Sequence, residues 1–164
     1  MNLTQTIAAG SIDGLRRIRE ASQAELTLCF PGVGSAFARL NDPTCLIVAK
    51  NGVNLLVDVG ANIPRVLSSR GIHVCDFDYY HITHSHADHI GGLEELLLSS
   101  HYVLKKTPRL ILTESYKNIL WEGTLRGGCE HREKGTFQFE DLADFIIPSQ
   151  IAESPREIYE VELE

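Results

Sequence analysis

Apolar and polar residues alternate with a period of two in some stretches of this chain and with a helical period in others. Glu25 to Phe30 alternates and stops at Pro31-Gly32, which predicts a strand closed by a turn. Cys45 to Ala49 and Val53 to Val57 are two apolar runs joined through Asn51-Gly52. That pair takes the positive φ angles of a type I′ turn, so the runs predict a β-hairpin. Phe77 to Thr83 and Leu110 to Thr113 read as short strands, and Ile158 to Leu163, alternating apolar and acidic, as an edge strand. Helical spacing marks Ser11 to Ser22, with Ser11 or Asp13 as cap and Leu15 and Ile18 on its apolar side. It marks Ile63 to Arg70, with Pro64 in the first turn and Gly71 after the end. It also marks Leu93 to Ser99, with Glu94 and Glu95 in the first turn, and Ser115 to Trp121. Gly123 to Gly135 reads as a glycine-rich charged loop. Phe139 to Ile147 fits helix and strand equally. Strands interleaved with helices predict an α/β fold, and the hairpin makes its sheet mixed.

The chain has 164 residues, 43% hydrophobic and 23% charged. This is the balance of one soluble domain and excludes fibrous and wholly disordered classes. Its apolar runs fall short of the roughly 20 residues that span a bilayer, which predicts no membrane span. Met1 to Gly14 lacks a basic segment leading into an apolar core, so no secretory signal is visible. The four cysteines form no C-x-x-C pair and read as reduced thiols in a cytoplasmic protein. Cys29, Cys45 and Cys75 read as packing residues, while Cys129 falls in the polar loop and is a candidate for reactivity. Trp121 reads as a core anchor. The net charge of −7 argues against a groove for long nucleic acid. An acidic protein can still act on a small phosphate ester if bound metal supplies the positive charge.

The chemistry is concentrated in His81-Ile82-Thr83-His84-Ser85-His86-Ala87-Asp88-His89-Ile90-Gly91-Gly92. The pattern H-x-H-x-D-H is rare by chance in a chain holding seven histidines. His84 and His86, two apart at a strand end, turn their rings the same way and suit Zn²⁺ or a similar ion. Asp88 and His89 follow where the chain enters a helix and can face a second ion. A metal pair about 3.5–4 Å apart clamps the oxygens of a displacement at phosphorus. Gly91 and Gly92 let the backbone pass closely beneath. His81, one strand period earlier, reads as a supporting residue rather than a ligand. Asp58, at the end of the second hairpin strand, would by itself be a turn residue.

The segment THSHADHIGG resembles the signature of the metallo-β-lactamase superfamily, and Leu55-Leu56-Val57-Asp58-Val59-Gly60 resembles that family's first motif. The resemblance implies an αββα sandwich, of which residues 25–164 would form the N-terminal half, a mixed sheet with flanking helices. Residues 1–24 would be a helical extension. It implies that His84 and His86 bind a first metal, and that Asp88 and His89 bind a second. Asp88 would also hold or deprotonate the attacking water, and Asp58 would orient the ligands from behind. Two Zn²⁺ per complete site are implied, with Mn²⁺ or Fe as alternatives.

Phe30 to Phe37 resembles the small-residue loop of tRNase Z-like phosphodiesterases. Gly34 and Ser35 there would offer free backbone N–H groups to an anionic substrate. Leu120 to Phe145 sits where that branch has a cleft-lining loop, and Arg126 and His131 are its candidate substrate contacts. The implied activity is hydrolysis of a phosphodiester, in RNA or a small or cyclic nucleotide, by a metal-bound hydroxide. Acyl or thioester hydrolysis of the glyoxalase II or lactamase type is the alternative within the same fold.

The family's site also takes a further His, a bridging Asp and a last His, whereas only His101 and His131 follow His89 here. Three expectations compete. The chain is a piece cut before the third ligand motif, or a natural half completed as a homodimer. Otherwise it is a non-catalytic half-domain that binds metal weakly or mediates assembly.

Overall fold

Asn51 and Gly52 adopt φ values of 52° and 82°, the left-handed pair that reverses a hairpin. Around them β2 (Cys45–Lys50) and β3 (Val53–Val57) pair antiparallel, from Leu46 against Val57 to Lys50 against Val53. The computed structural model describes residues 14–23 and 25–148. The strand expected at 158–163 therefore lies outside the described residues.

The hairpin seeds a six-stranded mixed sheet in sequential order. β1 (Thr27–Gly32) pairs antiparallel to β2. β4 (Tyr79–His81), β5 (Arg109–Ile111) and β6 (Asp144–Ile146) add in parallel beyond β3. Each parallel step needs a crossover, and helices supply it. α2 (Ile63–Ser69) links β3 to β4; α3 (Ala87–Ile90) and α4 (Leu93–Ser99) link β4 to β5; α5 (Glu114–Leu120) and α6 (Arg126–Cys129) link β5 to β6. The α/β reading with a mixed sheet and flanking helices stands.

Alternation along the strands sorts the two faces of the sheet. Cys45, Ile47, Ala49, Asn54 and Leu56 turn to one side and are buried. Cys45, Ile47 and Leu56 share a core with Ile63 and Leu67 of α2, Leu93, Leu96 and Leu97 of α4, and Tyr80 and Leu110. Each such large side chain contributes roughly 1.5–3 kcal/mol by leaving water. On the other face Leu46, Val48, Leu55 and Val57 are half-buried, and Leu28 and Phe30 of β1 are exposed.

Residues 14–21 form a helix, α1, that meets this body through buried Leu15. Gly14 lies so close to Arg70 and Ile72 that a Cβ there would meet them at 2.5 and 2.7 Å. Arg19 pairs with Asp78 at 3.3 Å, and the Ser22 hydroxyl accepts from the Gly52 N–H at 3.2 Å.

The first half of the stretch read as a charged loop, up to Cys129, is helical, and the rest is irregular as read. α5 runs on through a π-helical turn, Trp121–Leu125, into α6. Trp121, Leu125 and Cys129 recur every four residues and are buried, whereas Gly123 and Gly127 face open space. Glu122, Arg126 and Glu130 run along the exposed side as a ladder of ion pairs of 2.7 and 3.0 Å. The glycines mask this periodicity in the sequence, and burial of the apolar stripe outweighs their low helix propensity. Trp121 is the core anchor expected of it, stacked on Phe139 at 5.1 Å. The ambiguous stretch from Phe139 resolves into a short 3₁₀ turn, Phe139–Asp141, followed by β6.

Candidate metal centre

Asp58 closes β3 with φ 63°, a left-handed conformation that Asp tolerates better than most residues. The turn is held from both sides. The Asp58 N–H donates to the His81 carbonyl at 2.8 Å, and the Asp58 carbonyl accepts from the Cys45 thiol at 3.3 Å. The side chain is thereby aimed across the end of β4 and is 5% exposed. It accepts the Thr83 N–H at 2.8 Å and the Thr83 hydroxyl at 2.9 and 3.0 Å, and its Oδ2 lies 2.6 Å from His89 Nδ1.

Thr83 stands at the hub of this network. Its hydroxyl oxygen is also 3.0 Å from His84 Nδ1 and 3.4 Å from His89 Nδ1. The imidazoles are therefore gripped by one of their nitrogens. The His84 and His89 rings lie 4.0 Å apart and the His84 and His86 rings 4.6 Å apart. His84 Nε2 and His86 Nδ1 are separated by 3.0 Å, and His89 Nε2 and Asp88 Oδ2 by 3.3 Å. Two donors on one ion with bonds of about 2.0–2.2 Å stand at similar mutual distances. The four expected ligands thus form two adjacent pairs of nitrogen and oxygen donors, half-buried except for exposed His86. Donor type and pair spacing fit divalent metal. Among the described residues no group of three such side chains converges on a single metal position.

Small residues let two backbone segments meet under the cluster. Val59 N–H donates to the His89 carbonyl at 2.7 Å, and Gly92 N–H to the Val59 carbonyl at 2.8 Å. A Cβ on Gly60 would strike the Asp88 carbonyl, and one on Gly92 would meet Gly60 O and Pro64 at 2.8 Å. Gly91 and Gly92 therefore act as expected. Gly60 shares that duty and was not singled out from the sequence.

The other expected residues make their described contacts outside the cluster. His81 Nδ1 is 2.9 Å from the Ile111 carbonyl, so this ring ties β4 to β5. Gly34 is buried, and its N–H is spent on the Asp42 carbonyl at 2.7 Å, which removes the free donor expected there. Ser35 is exposed in the same loop. Arg126 is held between Glu122 and Glu130 on the outer side of α6, and exposed His131 bridges to Thr136. No hydrogen bond, ion pair or ring contact among the described residues joins Gly34, Ser35, Arg126 or His131 to the histidine cluster. His101 packs edge-on against Phe137 at 4.8 Å. Cys129 is buried, and burial pushes its thiol up to about 12, which argues against Cys129 as a reactive candidate.

Thr83 was within the signature but unassigned. Hydroxyl side chains bond readily to local neighbours, and that was its only signal. The hydroxyl of Tyr116 on α5 lies 2.9 Å from Ser85 Oγ, across 31 residues that carry no local hint of the contact.

The metallo-β-lactamase fold protein YhfI from Bacillus subtilis shares the fold, with a TM-score of 0.54 over 76% of this chain and 46% of that one at 17% identity. The anti-Pycsar protein Apyc1 of Paenibacillus xerothermodurans is 38% identical over 115 residues, 70% of this chain and 46% of that protein. Its namesake from Bacillus phage 010DV004 is 34% identical over 142 residues, 85% of this chain and 54% of that protein. The chain thus spans about half the length of the curated relatives it matches. A family model described as anti-Pycsar protein Apyc1 matches residues 26–164, and the chain belongs to that family.

Proposed function

We propose that this chain carries the His84, His86, Asp88 and His89 portion of a di-metal hydrolase that cleaves a small, cyclic nucleotide phosphodiester. The supporting observation is the pairing of these four donors, with Thr83 and Asp58 holding the rings of His84 and His89. His84 and His86 would hold one ion and Asp88 and His89 the other, with zinc expected and manganese or iron as alternatives. When bound, such ions stabilise charge on phosphoryl oxygens and acidify water. The residues do the rest. Asp58 holds the proton on His89 Nδ1, leaving Nε2 free as a donor. Asp88 would hold the attacking water or take its proton. A small substrate is favoured over long RNA because the chain carries −7. Relatives of this chain bear the name anti-Pycsar protein Apyc1, and some of them come from Bacillus phages.

The test is zinc-loaded chain given bis(p-nitrophenyl) phosphate and a panel of cyclic mononucleotides. Cleavage that His86→Ala abolishes is the expected result. Turnover of a thioester or lactam with none of a phosphodiester would move the chain to acyl hydrolysis.

A second reading, a half-domain that binds metal weakly, is favoured by the lack of three converging donors among the described residues. Near two equivalents of zinc per chain would overturn it; less than one equivalent, without turnover, would favour it.

A further inference from the structure

Between β4 and α3 the chain is supported chiefly by side chains. The Thr83 N–H goes to Asp58, and the N–H groups of His84, Ser85 and His86 have no backbone acceptor among the described bonds. Asp58 therefore steadies one end of this turn and the start of α3 the other. Its middle is Ser85, between the two histidines, and the only described side-chain bond there is to Tyr116 at 2.9 Å.

Tyr116 is well built for this. α5 starts at Glu114, and the Thr113 side chain caps it by accepting the Tyr116 N–H at 3.3 Å. The ring packs against the core. Burial raises the pKa of the phenol and so disfavours its ionisation, and the hydroxyl keeps its proton at neutral pH. A short helix anchored in the core thus reaches 31 residues back to the exposed turn that carries two donors of the same pair.

We propose that Tyr116 is a positioning residue for the metal centre: its hydroxyl, through Ser85, holds the His84-Ser85-His86 turn so that His84 Nε2 and His86 Nδ1 face one ion. This rests on the metal reading above. Outer partners of metal ligands typically carry 10–100-fold in affinity, so loss of this bond should cost roughly tenfold.

The experiment is zinc competition against a chromophoric chelator, using full chain as wild type, Tyr116→Phe, Ser85→Ala and the double variant. Thermal melts of the metal-free proteins run alongside. Each single variant should bind zinc roughly tenfold more weakly, with the double variant no weaker than the worse single one. Tyr116→Phe keeps the packed ring, so its metal-free melt should match wild type. Wild-type uptake with unchanged Tyr116→Phe affinity overturns this inference alone, as do additive losses in the double variant or a lowered metal-free melt that accounts for the loss. A wild-type chain that takes up no zinc overturns the metal reading and this inference with it.

Discussion

His89 Nδ1 lies 2.6 Å from Asp58 Oδ2, so a residue ending β3 grips a residue inside α3. The carboxylate fixes which nitrogen of His89 is free, and the imidazole satisfies a carboxylate that is 5% exposed.

This contact predicts the behaviour of Asp58→Asn. The amide keeps the shape but removes the charge and the second acceptor oxygen. Zinc affinity, measured by chelator competition, should fall by roughly 10–100-fold. Thr83→Val, which deletes one hydroxyl of similar bulk, should lower it as well while keeping the fold. Equal affinity in Asp58→Asn and wild type would remove Asp58 from the centre.

Gly60 sets the approach of the β3 turn to α3. Gly60→Ala drives a methyl into the Asp88 carbonyl, a backbone atom that cannot swing aside. The substitution should cost about 1–3 kcal/mol in urea unfolding. It should weaken zinc binding too, because Asp88 moves with its carbonyl.

The helical continuation beyond Trp121 is tested by two opposed changes. Leu125→Ala empties a buried position and should cost about 2–5 kcal/mol. Gly127→Ala places a methyl in open space within α6 and should stabilise by about 0.5–1 kcal/mol. In a disordered loop both would be near neutral in thermal or urea unfolding.

The thiols predict a pattern of labelling and an alkaline limit. Burial pushes Cys45 and Cys129 up to about 12 and Cys75 to about 11. A thiol reagent at about pH 8 should modify half-buried Cys29 first, read by mass spectrometry of digests. In the unfolded chain these thiols ionise near the ordinary value of 9.0. Their stabilising contribution is thus present below about pH 9 and is lost as pH rises toward about 12. Urea midpoints should fall between about pH 8 and about pH 10, and Cys45→Ala should flatten that fall.

Local chemistry made much of this molecule legible. Asn51-Gly52 turns the hairpin because glycine and asparagine accept positive φ, and β2 and β3 follow as the apolar runs require. Pro64 and Gly71 bracket α2 for the same kind of reason. The segment His84 to His89 announces its donors through side-chain type and spacing alone.

What spacing cannot carry is which distant groups meet. Glycines at 123, 127 and 128 disguised a helix whose stability comes from burying Trp121, Leu125 and Cys129 against a core built elsewhere. Gly34 read as an open donor until Asp42 closed on its N–H. Tyr116 reaches Ser85 only because β4 and β5 lie side by side in register. The sequence by itself determined the hairpin, the bracketing of α2 and the donor types between His84 and His89, since these depend on neighbours along the chain. Only the tertiary structure decided that the expected carboxylate, Asp58, meets His89 and which hydroxyls steady the turn, because those contacts exist only once the sheet brings strand ends together.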